Sequence, residues 1–363
     1  MPERTKRSDY IEWAKTRSHA RFTLAASGIP HYPLSDLGAS IDDIEISGPS
    51  WYGYEPLQQA MAAKCGVSVD NVVAATGTSM ANFMVMAAMI EPGDEVIIER
   101  PAYDPLVSAA RFLGAAVKRV DRRFEDGFQI DPRDVAEQVS SRTKLIVITN
   151  LHNPTSVFTD TQTLRQLGDI AREAGARVLI DEVYLEALFD KSPGSAFHLG
   201  SEFVATCSLT KAYGLSGLRC GWILAEPELA TKIWRVNDLF GNIPAHSAER
   251  LSVVALNNLE KISARAQALL NLNRPILDAF LDSRNDLETV RPGVGTVVAP
   301  RLKSGKTEAL CSLLLEKYET SIVPGSFFEM PDHFRIGIAC DPENLKNGLE
   351  RLGEALDVLA KQA

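Results

Sequence analysis

Lys211 stands just after an apolar run, Phe203 to Leu209, that reads as a buried strand, and it lies within the stretch SLTKAYGLSGLRCGW. A lysine ammonium is costly to bury unless something uses it. Most lysines face water, but a buried one with a lowered pKa is a good imine-forming nucleophile. The neighbours separate the two readings. Ser208 stands three residues before it, and Arg219 eight residues after it carries a rigid fork of donors suited to phosphate. Upstream, the apolar run Val178 to Ile180 ends in Asp181, with Tyr184 three residues further on. A carboxylate at the end of an apolar strand needs a cation, and a protonated ring nitrogen is one such partner. An N-cap or an ion pair is the plainer role for Asp181. Tyr184 could reach the same ligand with its hydroxyl.

In a parallel sheet, ligands sit beyond the C-terminal strand ends, so the other strand ends are read with these two. One ends in Thr76-Gly77-Thr78-Ser79 and leads into a helix. Gly77 permits close backbone approach, and a helix N-terminus with the hydroxyls of Thr78 and Ser79 suits a phosphate, although a simple helix cap would look alike. Another leads to Arg100-Pro101-Ala102-Tyr103, where Tyr103 either stacks on a flat ring or sits in a turn. A third leads to Asn150-Leu151-His152-Asn153-Pro154-Thr155. Asn-Pro starts turns, yet the Asn153 amide there could donate to a phenolate-type oxygen. His152 reads as a loop histidine, with no second histidine at metal spacing. Together these residues describe one ligand. It has a phosphate (Gly77, Thr78, Ser79, Ser208, Arg219), a flat ring (Tyr103), a ring oxygen (Asn153, Tyr184), a protonated ring nitrogen (Asp181) and an aldehyde (Lys211). That ligand is pyridoxal phosphate.

The elements that must position these residues alternate. Strand-like runs at Asn71–Thr76, Glu95–Glu99, Ala116–Val120, Leu145–Thr149, Val178–Asp181, Phe203–Leu209 and Trp222–Ala225 are separated by helical or loop stretches. Several are continuously apolar, as strands covered on both faces are, and the alternation predicts an α/β domain with a mostly parallel sheet. After about Ala225 the texture changes. Pro227–Phe240 reads as a helix, and Ala245–Ser283 as a long helical stretch broken near Pro275. Short strands at Thr296–Ala299, Ser321–Val323 and Phe334–Ala339 then alternate with helices at Lys306–Glu319 and Pro342–Lys361, which predicts a smaller α+β domain. A helix over Asp9–Ala20 and a Gly/Pro-punctuated arm make up the N-terminal part.

The chain of 363 residues is long enough for one large domain and one smaller one. Its net charge of −9 and pI of about 5.3 argue against a nucleic-acid or acidic-membrane partner. Five scattered cysteines read as reduced thiols of a cytoplasmic protein, and none has metal-ligand spacing. The charged N-terminus is not a signal peptide, and the longest mostly apolar run, Met80–Ile90, contains Asn82 and is too short to span a bilayer.

On these motifs the chain resembles the class I/II aminotransferases, the fold type I pyridoxal-phosphate enzymes, from about Tyr52 to the C-terminus. The spacings match the family: Asn153 to Asp181 is 28 residues, Asp181 to Tyr184 three, Ser208 to Lys211 three, and Lys211 to Arg219 eight. HFRIGIAC looks like the late strand that carries the family's carboxylate-binding arginine, which makes Arg335 the candidate. The resemblance implies a three-layer α/β/α large domain with a seven-stranded sheet over 46–240, and a small domain from 1–45 and 241–363. It also implies a homodimer in which a tyrosine reaches the partner's phosphate. Tyr52 is the candidate, with Tyr54 beside it. There are departures. The usual Asn-Pro-Thr-Gly reads Asn-Pro-Thr-Ser156 here, the stacking aromatic is Tyr103 rather than tryptophan, and no second arginine for a side-chain carboxylate can be placed. The Lys211 stretch also resembles histidinol-phosphate aminotransferases and threonine-phosphate decarboxylases.

The implied activity is transfer of an amino group between an amino acid and a 2-oxo acid. Lys211 holds the cofactor and moves the proton, Asp181 secures the ring proton, and Arg335 with Asn153 grips the substrate carboxylate. Three rivals stand beside it. A decarboxylase, lyase or racemase would use the same residues. A non-catalytic regulator binding the same cofactor would usually carry a basic DNA-binding segment. A nucleotide-binding dehydrogenase would want a GxGxxG motif after the first strand, and none stands there.

Overall fold

The computed structural model describes residues 4–49, 51–241 and 243–361. Its centre is a seven-stranded sheet built from β1 (Val72–Thr76), β2 (Glu95–Arg100), β3 (Ala116–Asp121), β4 (Thr143–Thr149), β5 (Arg177–Asp181), β6 (Phe203–Ser208) and β7 (Cys220–Leu224). The order across the sheet is β1-β7-β6-β5-β4-β2-β3. Only β7 runs against the rest. Residues of β4, β5 and β6 are almost entirely buried, because helices cover both faces of the sheet's centre, while the edge strand β3 is partly exposed.

The helices show why they form where they do. Helix α1 (Asp9–Thr16) is capped by Ser8, whose hydroxyl accepts from Ile11 N at 3.2 Å. Glu55–Cys65 forms α2, and α3 (Thr78–Met89) starts directly after β1 at Gly77, with no side chain capping its first turn. Asp104–Phe112 forms α4, and α5 (Thr161–Glu173) is strongly amphipathic and capped by Asp160, which accepts from Thr163 N at 2.8 Å. One face of the sheet packs on α3 through Ala81, Met84 and Val85, while the other packs on α5 through Leu164, Leu167 and Ala171.

The smaller lobe has its own core. Val297–Val298 (β8), Val323–Pro324 (β9) and Phe334–Gly337 (β10) form an antiparallel sheet in the order β8-β10-β9. It packs with the helices Leu259–Asp282, Thr307–Tyr318 and Pro342–Ala360 around Leu277, Leu310, Ile336 and Leu352. The N-terminal arm joins both parts. Leu24 N donates to Ser321 O at 2.8 Å, and Ile29 N donates to Lys211 O at 2.8 Å.

One expectation is corrected. The helical stretch after Ala245 breaks at Asn258 and not at Pro275, giving His246–Asn257 and Leu259–Asp282. Pro275 lies inside the second helix. It removes a single N–H, while Leu270, Leu277 and Leu281 on either side of it stay buried in the small-lobe core and hold the helix together. The helix expected over Asp9–Ala20 also stops earlier, at Thr16.

Candidate active site

Strand register brings the distant sequence segments together. The parallel strands end at one edge with Thr76, Thr149, Asp181 and Ser208, and the pairing sets Thr149 opposite Asp181 and Asp181 opposite Thr206. Because β7 runs the other way, it starts at that same edge, which delivers Arg219 there. A cavity of about 860 Å³ opens at this edge. Its walls include Thr78, Ser79, Tyr103, Asn153, Asp181, Tyr184, Ser208, Lys211 and Arg219, with Tyr10 and Ser27 from the N-terminal arm.

At one end are the groups that suit a phosphate. Thr78 Oγ1 donates to Ser208 Oγ at 2.8 Å, and both are buried. Gly77, at φ +89°, lies against Arg219, and a Cβ there would collide with Nη2 of that arginine. Arg219 Nη2 donates to Thr76 O at 3.0 Å and Nη1 to Ser216 O at 3.3 Å, so the guanidinium is steered by backbone carbonyls rather than by a carboxylate. Ser79 is exposed at the first turn of α3.

Asp181 is buried, and both its oxygens are engaged. Asn82 Nδ2 donates to Oδ2 at 2.7 Å, and Val183 N donates to Oδ1 at 3.0 Å. Thr206 Oγ1 donates to Asn82 Oδ1 at 2.6 Å, which fixes the amide so that its NH₂ faces the carboxylate. Burial is the main reason the Asp181 carboxyl is raised to about 6, against the lowering effect of these donors. An acid held this way is completed by a cation. Lys211 Nζ donates to Ser27 Oγ at 3.0 Å and lies 6.0 Å from the Tyr184 ring centre. Burial lowers its pKa; Arg335 and Arg219 lower it further, while Tyr10 and Asp181 oppose them. A lysine so placed is a better nucleophile than an exposed one.

Arg335 on β10 is 1% exposed. Its Nη1 donates to Asn153 Oδ1 at 3.0 Å, and its Nη2 donates to Tyr10 Oη at 2.9 Å and Ala25 O at 3.2 Å. Its Nε–H has no partner among the described residues. Asn153 is itself held from behind. Its N donates to Thr149 Oγ1 at 3.0 Å, Thr149 Oγ1 donates to Glu99 at 2.6 Å, and Glu99 is ion-paired with Arg122 at 2.7 Å, fully buried. His152 makes hydrogen bonds to Thr155 and Pro101 O, and burial holds its pKa well below the ordinary value, so it stays neutral. Ser156 adopts φ +61° and donates to Val297 O at 2.8 Å, tying this turn to the small lobe.

Tyr52 lies apart from the cavity within this chain. It is 54% exposed, and its hydroxyl donates to Asp238 at 2.7 Å. Tyr54 instead packs edge-on against His246 with ring centres 4.9 Å apart. Four site residues escaped the sequence reading: Tyr10, Ser27, Asn82 and Thr206. For Asn82 a signal existed, since it is the one amide in the apolar run Met80–Ile90. Tyr10 lies in α1 and Ser27 in the arm that follows it, and no motif marks either as part of a site. Among the described residues no group of His, Cys, Asp and Glu could hold a metal ion.

The residues present fit pyridoxal phosphate. The cavity pairs an uncapped helix start and two buried hydroxyls for a phosphate with a buried carboxylate suited to a ring N–H⁺ and a lysine suited to an aldehyde. A family model described as "Aminotransferase class I and II" matches residues 44–352. A capreomycidine synthase from Streptomyces vinaceus is 29% identical over 96% of this chain and 94% of its own length. A probable aspartate/prephenate aminotransferase from Thermus aquaticus is 28% identical over 84% of this chain and 82% of its own. The crystal structure of a PLP-dependent aminotransferase from Streptococcus suis superimposes with a TM-score of 0.92 at 27% identity, covering 98% of this chain and 99% of that one.

Proposed function

Because the chain belongs to the class I and II aminotransferases, we propose that the cavity at the sheet edge is its active site, with Lys211, Asp181 and Arg335 in the three leading roles. The protein is a pyridoxal-phosphate-dependent aminotransferase that moves an amino group between an amino acid and a 2-oxo acid. The observation that carries the residue assignment is the convergence of a lysine and a buried carboxylate on one cavity, with the buried Arg335 directly behind its wall residues Asn153 and Tyr10.

When bound, the cofactor supplies an aldehyde that takes up the substrate amine and a ring that draws electron density from Cα. Lys211 would hold that aldehyde and, once released by the substrate, take the proton from Cα with Nζ and return it one position along. Asp181, steadied by Asn82 and Val183, keeps the ring nitrogen protonated. Tyr184 and Asn153 would donate to the ring oxygen, and Tyr103 would stack on the ring. Gly77, Thr78, Ser79, Ser208 and Arg219 would bind the phosphate. Arg335 and Asn153 grip the substrate carboxylate.

The same reading divides the chain into a large cofactor-binding part over 46–240 and a small part from 1–45 and 241–363. Leu24 and Ile29 in the small-lobe core support that division, although Ala255 and Ile262 pack with the large one, so the seam runs through the helices after 246. A homodimer is supported by exposed apolar side chains near Tyr52: Trp51 is 76% exposed, Leu239 79% and Phe240 52%. On this reading Tyr52 would reach the partner's phosphate from that face. A cytoplasmic location is supported by five unpaired cysteines. No described helix is long and apolar enough to cross a membrane.

Similarity along nearly the whole chain to a protein named a synthase favours a second reading, in which the same residues direct a reaction at the substrate other than amino transfer. One experiment separates them. Amino acids that bleach the bound cofactor's visible absorbance are scored for its recovery with 2-oxo acids and for their products. Recovery that depends on oxo acid, with a matching new amino acid, supports transfer. Turnover without any oxo acid supports the second reading.

A further inference from the structure

Arg335 is buried to 1% exposure, yet among the described residues its Nε–H has no partner and only one of its terminal nitrogens is fully committed. A buried guanidinium left partly unpaired is incomplete without an anion. The two side chains that flank it are arranged in the same sense. Asn153 accepts from Arg335 through Oδ1, which leaves its NH₂ free to donate. Tyr10 accepts from Arg335 through Oη, which leaves the phenol O–H free to donate. Lone pairs are thus turned toward the arginine and protons away from it. Tyr10 is 7% exposed and lines the cavity together with Lys211. Its ring is fixed edge-on against Tyr103 at 5.7 Å and packs on Phe327 and Phe328 at 5.9 and 5.6 Å. Helix α1, which carries it, is tied to α4 by the hydrogen bond from Ser8 to Asp104.

We propose that Tyr10 is a substrate-binding residue whose hydroxyl donates to the α-carboxylate held by Arg335, so that the N-terminal helix supplies one of the three donors of that subsite. The inference rests on the assignment of Arg335 made above. Its consequence is that α1 belongs to the active site and reads the α-carboxylate, a group that every α-amino acid carries. Specificity for the side chain must then come from elsewhere on the cavity wall.

The test uses the holoenzyme and a matched pair of probes: 2-aminoisobutyrate, which has the carboxylate and no Cα hydrogen, and isopropylamine, which lacks the carboxylate. Dissociation constants are read from the change in the cofactor's absorbance, without turnover. Tyr10→Phe keeps the ring contacts and removes only the hydroxyl. Loss of a hydrogen bond to a charged group should weaken 2-aminoisobutyrate about tenfold and leave isopropylamine within about twofold. Equal weakening of both probes, or no weakening of either, overturns the proposal. Arg335→Lys is measured in parallel. If it weakens 2-aminoisobutyrate while Tyr10→Phe does not, the role of Tyr10 alone is overturned. If Arg335→Lys has no effect either, the carboxylate subsite itself is wrong.

Discussion

A lysine amine becomes a nucleophile when its charged form is made less favourable, and Lys211 has this from burial with Arg335 and Arg219 close enough to oppose its charge. Lys211→Ala should therefore abolish the covalent hold on the cofactor and lower turnover by at least about 10³-fold, checked by borohydride trapping and single-turnover kinetics. Asp181 presents the opposite problem, an anion in a site that disfavours anions. Asn82 is its nearest remedy. Asn82→Ala leaves an oxygen of Asp181 without a partner and the Thr206 hydroxyl with only its long 3.5 Å bond to Ile180 O. The expected result is a cofactor dissociation constant raised about tenfold and an apoprotein destabilised by about 1–3 kcal/mol, measured by fluorescence titration and denaturant melts. A change to cofactor binding without a change in stability would still place Asn82 behind Asp181; no change in either would remove it from that role.

At the scale of elements, two turns decide whether the side chains meet. The start of α3 can meet Arg219 closely only because residue 77 has no Cβ and sits at φ +89°. Gly77→Ala adds a clash with the guanidinium and, at φ +89° and ψ 167°, a backbone cost of about 1–3 kcal/mol. Phosphate-end binding should suffer most: cofactor affinity falls while the far-side Arg335–Asn153 pair stays in place, which competition between pyridoxal and pyridoxal phosphate can separate. The second turn is the one carrying Ser156. There a non-glycine residue accepts φ +61°, and its hydroxyl reaches the backbone of β8. Ser156→Ala keeps the strained backbone and loses the bond between the lobes, for a loss of about 1–2 kcal/mol in the unfolding free energy.

At the scale of the molecule, the buried acid next to Asp181 sets a pH dependence. Burial raises the Glu182 carboxyl from its ordinary 4.5 to about 8. Between those values the folded state holds a proton that the unfolded chain has lost. Stability contributed by the protonated acid is thus complete below about 4.5 and declines as pH rises through about 8. Glu182→Gln should remove about 1.4 kcal/mol per pH unit of that decline, seen as a flatter plot of unfolding free energy between pH 5 and 8. An unchanged slope would mean the carboxyl titrates normally. The exposed apolar face around Trp51, Leu239 and Phe240 predicts association. Sedimentation should give twice the chain mass of 39.7 kDa, and Trp51→Glu with Leu239→Glu should shift the protein toward monomer and lower its activity on dilution.

The apolar runs ending in Thr149, Asp181 and Leu209 were legible in the chain because strands covered on both faces need continuous hydrophobic sequence, and their alternation with helical stretches implied a mostly parallel α/β sheet. The spacing around Lys211 added the chemistry, since a nucleophile, a carboxylate and a phosphate-binding arginine each leave a local mark. The break at Asn258 rather than Pro275 was not legible, because burial of Leu270 and Leu277 outweighs one missing N–H. Nor were Tyr10, Asn82 and Thr206 as parts of a site. Their hydrogen bonds span 325, 99 and 124 residues to Arg335, Asp181 and Asn82, and contacts of that range leave no periodicity behind. The chain by itself determined which groups could do the chemistry; strand order and register, set by the packing of the whole sheet, decided which of them touch.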